Sequence, residues 1–180
     1  MRELYDRLKA LFPVGEITEK RSNLAFVTVT EDALRQVLLH LRDKEGYTHL
    51  VLLTAVDWYE DGQEDSQFQL TYLLSNRSEN KDIGLRVMLP RVGTTMASIH
   101  DLWPTAATYQ RELREMFGID FPDSPRVYEE FILEGWNDIP PYRREFDTLK
   151  YAHDSYAQRP GRETRDPETH MKQQLYPGKD

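Results

Sequence analysis

The stretch from Trp103 to Phe121 constrains the fold strongly, because the sequence marks both ends of one helix within it. Pro104 suits the first helical position, and Gly118 suits the left-handed residue that ends a helix. Between these two residues, apolar side chains recur at intervals of three and four and share one face: Ala106, Tyr109, Leu113, Met116 and Phe117. The stretch therefore predicts one amphipathic helix whose outer face carries Arg111, Arg114 and Glu115.

The chain before this helix predicts alternating helices and strands. Apolar periodicity predicts a helix from Arg2 to Phe12, which Pro13 ends, and a second helix after the capping residue Thr30 that ends near Gly46. A shorter helix is predicted over 94–102. Runs rich in β-branched or alternating apolar residues predict five strands, at 14–20, 24–30, 48–59, 67–74 and 83–89.

The predicted strands differ in character. The first two are separated by a turn-like Arg21-Ser22-Asn23 and are expected to form a hairpin. The run from Thr48 to Tyr59 is apolar enough for a central strand covered on both faces, and a polar turn is predicted at 60–63. Because helices and strand groups are segregated along the chain, we expect an α+β fold, with helices packed on a mostly antiparallel sheet.

After Phe121 the pattern changes, and residues 122–180 predict an extended C-terminal docking arm that follows an α+β domain of residues 1–121. Prolines forbid long helices there and alternate with single large aromatic residues: Tyr128, Phe131, Trp136, Tyr142, Phe146, Tyr151 and Tyr156. Disordered acidic tails, the alternative interpretation, are usually poor in aromatic residues. We therefore expect an arm that becomes ordered on a partner.

Composition excludes several classes of function. The net charge of −8 would repel a nucleic-acid backbone, so nucleic acid is not an expected partner. Cysteine is absent, which removes thiolate catalysis and Cys-ligated iron–sulfur clusters and predicts that electrons do not pass through this chain. The longest apolar run, Leu50 to Val56, is far shorter than the about 20 residues that span a membrane, and Met1-Arg2-Glu3-Leu4 lacks the apolar core of a secretory signal. We expect no direct membrane insertion.

Catalytic and metal-binding patterns are weak in this sequence. His100-Asp101 and His153-Asp154 are sequence neighbours whose side chains point in different directions, so spacing does not predict a catalytic pair. The histidines at 40, 49 and 170 show no metal-binding spacing, and no phosphate-binding glycine motif is present. Asp57 ends an apolar strand, where a loop-capping role is commoner than catalysis. No cofactor, metal site or catalytic residue is therefore predicted.

The string Arg-Glu-x-x-Glu-Met-Phe-Gly-Ile at 111–119, followed by Phe121, resembles the signature of the 30 kDa-type subunit (the C subunit) of complex I, the proton-pumping NADH-quinone oxidoreductase. Members carry a stretch close to Glu-Arg-Glu-x-x-Asp-Met-Phe-Gly-Ile-x-Phe. Here Gln110 replaces the first Glu, and Asp123-Ser124-Pro125 stands in place of Gly-His-Pro. Related membrane-bound hydrogenases and ferredoxin-linked complexes have a similar subunit. A second similar stretch runs from Glu134 to Asp147 and contains Pro140-Pro141 and Arg143-Arg144.

The resemblance implies an accessory, non-catalytic subunit without a cofactor, in the peripheral arm of a complex-I-like respiratory oxidoreductase. In relatives, this subunit packs against a hydrogenase-like large subunit, which holds the quinone pocket or metal site, and lies close to a small iron–sulfur subunit. The implied location is the cytoplasmic side of the cell membrane. Its implied role is to hold its neighbours together for electron transfer.

The resemblance also implies which residues contact the partners. The predicted interface residues are Arg111, Glu112, Glu115, Phe117, Phe121, Trp136, Arg143, Arg144 and Phe146. The alternative for Arg111 and Glu115 is an ordinary surface ion pair, and the alternative for the two neighbouring arginines is a solvated loop. Two other functions remain open from the sequence: a free-standing adaptor domain that captures an unrelated partner through its tail, and a small hydrolase that uses Asp57 or His100.

Overall fold

The computed structural model describes residues 1–59 and 66–155 and contains a five-stranded sheet with helices. The helices are α1 (Arg2–Leu11), α2 (Glu31–Asp43), α3 (Ala106–Phe117) and α4 (Thr148–Ser155). The strands are β1 (Val14–Arg21), β2 (Leu24–Val29), β3 (His49–Trp58), β4 (Gln67–Asn76) and β5 (Lys81–Pro90). The five predicted strands are therefore confirmed, whereas the short helix α4 was not predicted. The polar turn predicted at 60–63 lies outside the described residues.

The sheet has the strand order β1-β2-β5-β4-β3. The predicted β1–β2 hairpin is confirmed, and β4 pairs antiparallel with both β3 and β5. The pairing of β2 with β5 is parallel and aligns Ala25 with Ile83. Parallel neighbours need a long connection between them, and here the chain between β2 and β5 includes α2 and two strands. The α+β class is confirmed, and the sheet is mixed rather than purely antiparallel.

The prediction that β3 is a central strand was wrong, because β3 is at an edge of the sheet. Its residues alternate between the two faces: Leu53 and Ala55 are buried, whereas Val56 and Trp58 are exposed. Helix α3 packs against β3, and the Tyr109 hydroxyl on α3 donates a hydrogen bond to the Val51 carbonyl. The described residues therefore bury only one face of this strand, although apolar residues occur on both faces.

The prediction of a helix over 94–102 was also wrong. The Met96 N–H donates to the Asp120 carbonyl, and the Asp120 N–H donates to the Thr94 carbonyl. These bonds create an isolated parallel bridge between Thr95 and Asp120. Long-range backbone pairing with the residues after α3 therefore replaces the local hydrogen bonds that a helix would need.

One face of the sheet and the inward faces of α1, α2 and α3 form a single hydrophobic core. Phe68 and Tyr72 on β4 are among its largest fully buried side chains. Residues Met1–Phe146 form one compact unit, and a second unit begins at Asp147 and contains α4. The predicted docking arm spans the end of the first unit and the second, and its part 156–180 lies outside the described residues. Among the helices that the structure describes, none has both the length and the apolar character to cross a membrane.

Candidate partner-binding surface

The candidate functional surface consists of α3 and the chain that follows it, which we call segment 122–146. The segment contains turns rather than helices or strands, yet backbone bonds attach it to the core of its unit. The Tyr142 N–H donates to the Met116 carbonyl at the end of α3, and Val127 is almost completely buried. This part of the predicted arm is therefore ordered on the chain itself.

Gly118 allows segment 122–146 to approach the end of α3. Its φ of +76° is the left-handed conformation predicted for the residue that ends this helix, and its N–H donates to the Arg114 carbonyl. A Cβ at this position would lie 2.8 Å from an amino nitrogen of Arg143 and 3.4 Å from Pro140. The backbone conformation thus favours glycine, and a larger residue would also displace the Arg143 guanidinium.

Arg143 joins the segment to the last turn of α3. Its Nε donates to the Phe117 carbonyl at 2.7 Å, and its guanidinium lies 5.5 Å from the centre of the Phe68 ring. The last carbonyls of a helix lack partners within the helix and lie at its negative end, so a cation there satisfies an acceptor and a dipole together. Only 23% of the Arg143 side chain is exposed. Its guanidinium is therefore engaged within the chain.

Glu115 organises another turn of the segment. Its two carboxylate oxygens accept hydrogen bonds from the N–H groups of Phe131, Ile132 and Leu133, at 2.6, 2.8 and 3.1 Å. Bonds from backbone N–H groups to a carboxylate are stronger than those between neutral groups. The side chain that was predicted to reach a partner thus holds residues 131–133 against α3. Glu112, on the same helix, is half-buried.

Arg111 and Arg114 line an open cleft between α3 and the segment. The guanidinium of Arg111 lies 5.3 Å from the centre of the Phe131 ring, and that of Arg114 lies 4.6 Å from the centre of the Tyr128 ring. The cleft has a volume of about 400 Å³ and is also lined by Trp136. Stacked arginines beside an indole form a rigid, partly apolar surface that suits a partner side chain.

Asp57 ties the end of β3 to the segment. Its carboxylate forms an ion pair with Arg91 at 2.8 Å and accepts the N–H of Arg144 at 3.0 Å. Arg91 also forms an ion pair with Glu145. Burial acts to lower the pKa of Arg91, but its hydrogen bonds to Asp57 and Glu145 outweigh burial and raise that pKa. The ion pairs of Arg91 with Asp57 and Glu145 therefore hold the segment against the end of the sheet.

Four predicted interface residues are aromatic, and the structure places them in two groups. Phe117 and Phe121 belong to the hydrophobic core, where their relative exposures are 7% and 0%. Trp136 and Phe146 are half-buried and pack against each other edge to face, with ring centres 5.4 Å apart. The Trp136 and Phe146 rings thus remain partly open to a partner, whereas Phe117 and Phe121 support the surface from beneath.

Exposed residues of the segment complete the surface. Arg144 is exposed, in contrast to the Arg143 guanidinium, which is engaged. Tyr142, Ile132 and Ile139 also expose large apolar side chains. The sequence analysis missed the two isoleucines, since a segment without helical or strand periodicity carries no signal for which apolar residues face outward.

The residues considered for catalysis have other structural partners. Asp57 is engaged by Arg91 and by the Arg144 N–H, as described above. His100 Nδ1 lies 3.0 Å from Ser98 Oγ, but this hydroxyl donates to Gln110 at 2.7 Å and is buried. Within residues 1–59 and 66–155, no group of three or more histidine or acidic side chains is placed to hold a metal ion. His170 lies outside the described residues.

Comparison with known proteins identifies the family. Residues 27–152 match the family model described as respiratory-chain NADH dehydrogenase, 30 kDa subunit. The C subunit of NADH-quinone oxidoreductase from Moorella thermoacetica is 32% identical over 125 residues, which cover 69% of this chain and 81% of the relative. The C/D subunit of the same enzyme from Acidiphilium cryptum is 30% identical over 142 residues, and the match covers 75% of this chain but only 24% of that protein. The family resemblance found in the sequence is confirmed.

A solved structure has the same fold. The similar chain occurs in a membrane-bound sulfane sulfur reductase, described as an archaeal respiratory membrane complex. The TM-score is 0.75 at 24% identity, and the match covers 86% of this chain and 90% of that chain. The α+β arrangement therefore occurs in a second kind of respiratory membrane complex.

Proposed function

Because the chain belongs to the family of the respiratory-chain NADH dehydrogenase 30 kDa subunit, we propose that it is an accessory subunit in the peripheral arm of a complex-I-like oxidoreductase. In this proposal the chain has no cofactor of its own and holds a hydrogenase-like large subunit and a small iron–sulfur subunit together. The clusters of the neighbouring subunits then remain close enough for electron transfer. The complex lies on the cytoplasmic side of the cell membrane, and the chemistry belongs to the neighbours.

The observation that carries the proposal is that the part of the chain matched by the family model contains the surface formed by α3 and segment 122–146. The matched residues, 27–152, include this whole surface. Glu115, Arg143 and Asp57 hold the segment in place, so its exposed side chains are already positioned. Pre-organisation of this kind lowers the entropy lost on binding.

The surface chemistry suits a protein partner. Tyr142 and Ile132 expose apolar area, while Trp136 and Phe146 offer two partly open rings beside the exposed Arg144. Aromatic residues and arginine are enriched among the residues that dominate protein–protein binding energy. The fold neighbour in a respiratory membrane complex is consistent with a role inside a large assembly.

Copurification tests the proposal directly. The full chain is tagged in its own host, purified under mild conditions, and its bound proteins are identified by mass spectrometry. We expect a hydrogenase-like large subunit and an iron–sulfur subunit in amounts equal to that of the tagged chain. Recovery of the chain alone, or with one unrelated partner as in the adaptor hypothesis, would overturn the proposal.

A pair of charge variants locates the contact. Arg144→Glu places an acidic group on the proposed surface and is expected to lower the recovery of both partners, since reversed charges at an interface repel. Arg2→Glu makes the same change at an exposed position on α1 and serves as the control. Equal recovery of the partners with the two variants would show that the proposed surface does not carry the contact.

A further inference from the structure

The face of the sheet that lies opposite α1, α2 and α3 carries exposed side chains. On β3 the outward residues Thr54, Val56 and Trp58 are exposed, and on β5 Met88 is exposed. Trp58 exposes 53% of its surface, Val56 39% and Met88 37%. The composition of β3 is typical of a strand that is buried on both faces. Its outward face is therefore unusually apolar for an exposed surface, which is typical of a binding site.

Charge is depleted on this open face. The register aligns Thr28, Arg86, Thr71 and Thr54 in one row across four strands. The adjoining rows on either side contain glycine, glutamine, methionine and aliphatic or aromatic residues. On β2, β3, β4 and β5, Arg86 is the one ionisable side chain among the outward residues of these rows, in a chain of which 30% of the residues are charged. Depletion of charge is typical of the centre of a protein–protein interface.

The structure holds Arg86 in place without neutralising it. Its guanidinium lies 4.2 Å from the centre of the Phe26 ring. The Phe26 ring lies over Gly84. A Cβ at position 84 would clash with this ring, so the ring can occupy its position only because residue 84 has no side chain. Arg86 Nε is buried without a hydrogen-bond partner, and the described residues provide no ion pair for this guanidinium. A buried polar group in this state favours a ligand that can accept its hydrogen bond.

We propose that this open sheet face binds a partner protein through a surface that is uncharged except for one carboxylate, which pairs with Arg86. The partner carboxylate accepts hydrogen bonds from the Arg86 guanidinium, and the threonine hydroxyls at 28 and 71 flank the pair in the same row. Apolar partner side chains cover Trp58, Val56 and Met88. This surface would be a second contact within the assembly described under the proposed function. The inference rests on that proposed function, because its tests compare the free chain with the chain in the complex.

A second copy of the chain fits this face poorly. On β2, β3, β4 and β5 the rows around Arg86 carry no carboxylate, so a dimer that pairs these strands with the same strands of a second copy would leave each Arg86 without a counterion. Four strands and four rows at ordinary sheet spacing also give an area of roughly 500 Å². A stand-alone complex needs about 800 Å² from each partner. The face is therefore suited to one contact within a larger assembly.

Thiol labelling tests whether the face becomes covered. The chain has no cysteine, so Thr54→Cys introduces a single reporter on the open face, and Ala10→Cys introduces a control at an exposed position of α1. Each full-length variant is labelled with a maleimide reagent, once as the free chain and once within the complex purified from the host. We expect labelling at position 54 to slow at least about tenfold in the complex relative to position 10. Equal slowing at both positions, or none at position 54, would overturn the proposal.

The Arg86 variants test the carboxylate. Loss of one member of a buried charge pair weakens binding strongly, so Arg86→Gln is expected to lower the recovery of the chain with the complex by at least about tenfold. Arg86→Lys keeps the charge and should retain part of the recovery, and Arg2→Gln at an exposed position of α1 is the control. Thermal unfolding of each isolated variant verifies that the fold persists. Normal recovery of Arg86→Gln would overturn the proposed pairing.

Two further outcomes identify other occupants. If the free chain forms a dimer in sedimentation experiments and dimer formation protects position 54, the occupant is a second copy and the proposal is wrong. If a variant that ends at Ser155 labels faster at position 54 than the full chain does, the chain's own residues cover the face and the proposal is also wrong. Failure of the chain to enter any complex instead rejects the proposed function.

Discussion

Arg143 caps the helix that precedes its own segment, because its Nε donates to the Phe117 carbonyl at 2.7 Å. The bond connects two stretches that the sequence analysis identified separately, the helix over 103–121 and the arginine pair at 143–144. It also separates the roles of the two neighbouring arginines. Arg143 is engaged within its own unit, whereas the side chain of Arg144 is exposed.

The first prediction follows from this division. Arg143→Ala should lower the free energy of unfolding by about 1.5–3 kcal/mol, because a hydrogen bond from a charged group is lost and a helix-end carbonyl loses its partner. Arg144→Ala is the matched control and should change stability by less than about 0.5 kcal/mol, since it alters an exposed side chain. Urea unfolding of both variants measures the difference. Equal losses in the two variants would show that the Arg143 bond contributes little.

The second prediction concerns the carboxylate of Glu115. Glu115→Gln replaces one of the accepting oxygens by an amide nitrogen that donates, so at least one N–H among residues 131–133 loses its acceptor. We expect hydrogen exchange of these three amides to accelerate, while amides of Val51 to Val56 keep their protection. Glu112→Gln on the same helix is the control. Unchanged exchange at 131–133 would contradict the anchoring role.

The third prediction distinguishes two demands on Gly118. Gly118→Ala introduces both a strained positive φ and a Cβ 2.8 Å from Arg143, whereas Gly93→Ala introduces a positive φ of similar size with no atom within 4 Å of the new Cβ. The φ penalty alone is about 1–2 kcal/mol. The loss at Gly118 should exceed the loss at Gly93, because Arg143 must move. Calorimetric unfolding of both variants provides the comparison, and similar losses would mean that the segment adapts freely.

The fourth prediction is a pH dependence at Glu45. A hydrogen bond from Arg7 is the main cause that lowers the pKa of this carboxyl group below its usual 4.5, and His40 contributes. An acid whose pKa is lower in the folded state stabilises the fold above its unfolded pKa and loses this contribution as the pH falls. Glu45→Gln should therefore reduce stability near neutral pH and weaken the loss of stability between about pH 5 and pH 3. Parallel stability curves for both proteins would disprove the linkage.

The fifth prediction compares two truncated chains. A chain that ends at Phe146 should match the full chain in stability within about 0.5 kcal/mol, because the compact unit ends there. A chain that ends at Phe121 retains the predicted core and should still unfold cooperatively, but at lower denaturant, since Val127 and the bonds to Glu115 and Arg143 are lost. It should also fail to enter the complex. An unchanged midpoint in urea would show that residues 122–146 do not stabilise the domain.

Local signals in the sequence were sufficient for much of this protein. Alternation and helical periodicity predicted the five strands and the helices α1, α2 and α3, because each pattern reports which side of an element is buried. Gly118 could be assigned its left-handed conformation because few other residues adopt it without strain. The motif around α3 was specific enough to identify the family.

Tertiary structure decided the features that depend on distant parts of the chain. The hydrophobicity of β3 predicted a strand with two buried faces. Strand order depends instead on which strands pair, and this pairing leaves β3 at an edge of the sheet with Trp58 exposed. Residues 94–102 followed a backbone bridge to Asp120 instead of their local preference for a helix. The partners of Glu115 and Arg143 were also hidden, because a charged side chain carries the same sequence signal whether its counterpart lies in solvent, in another protein or 26 residues away in its own chain.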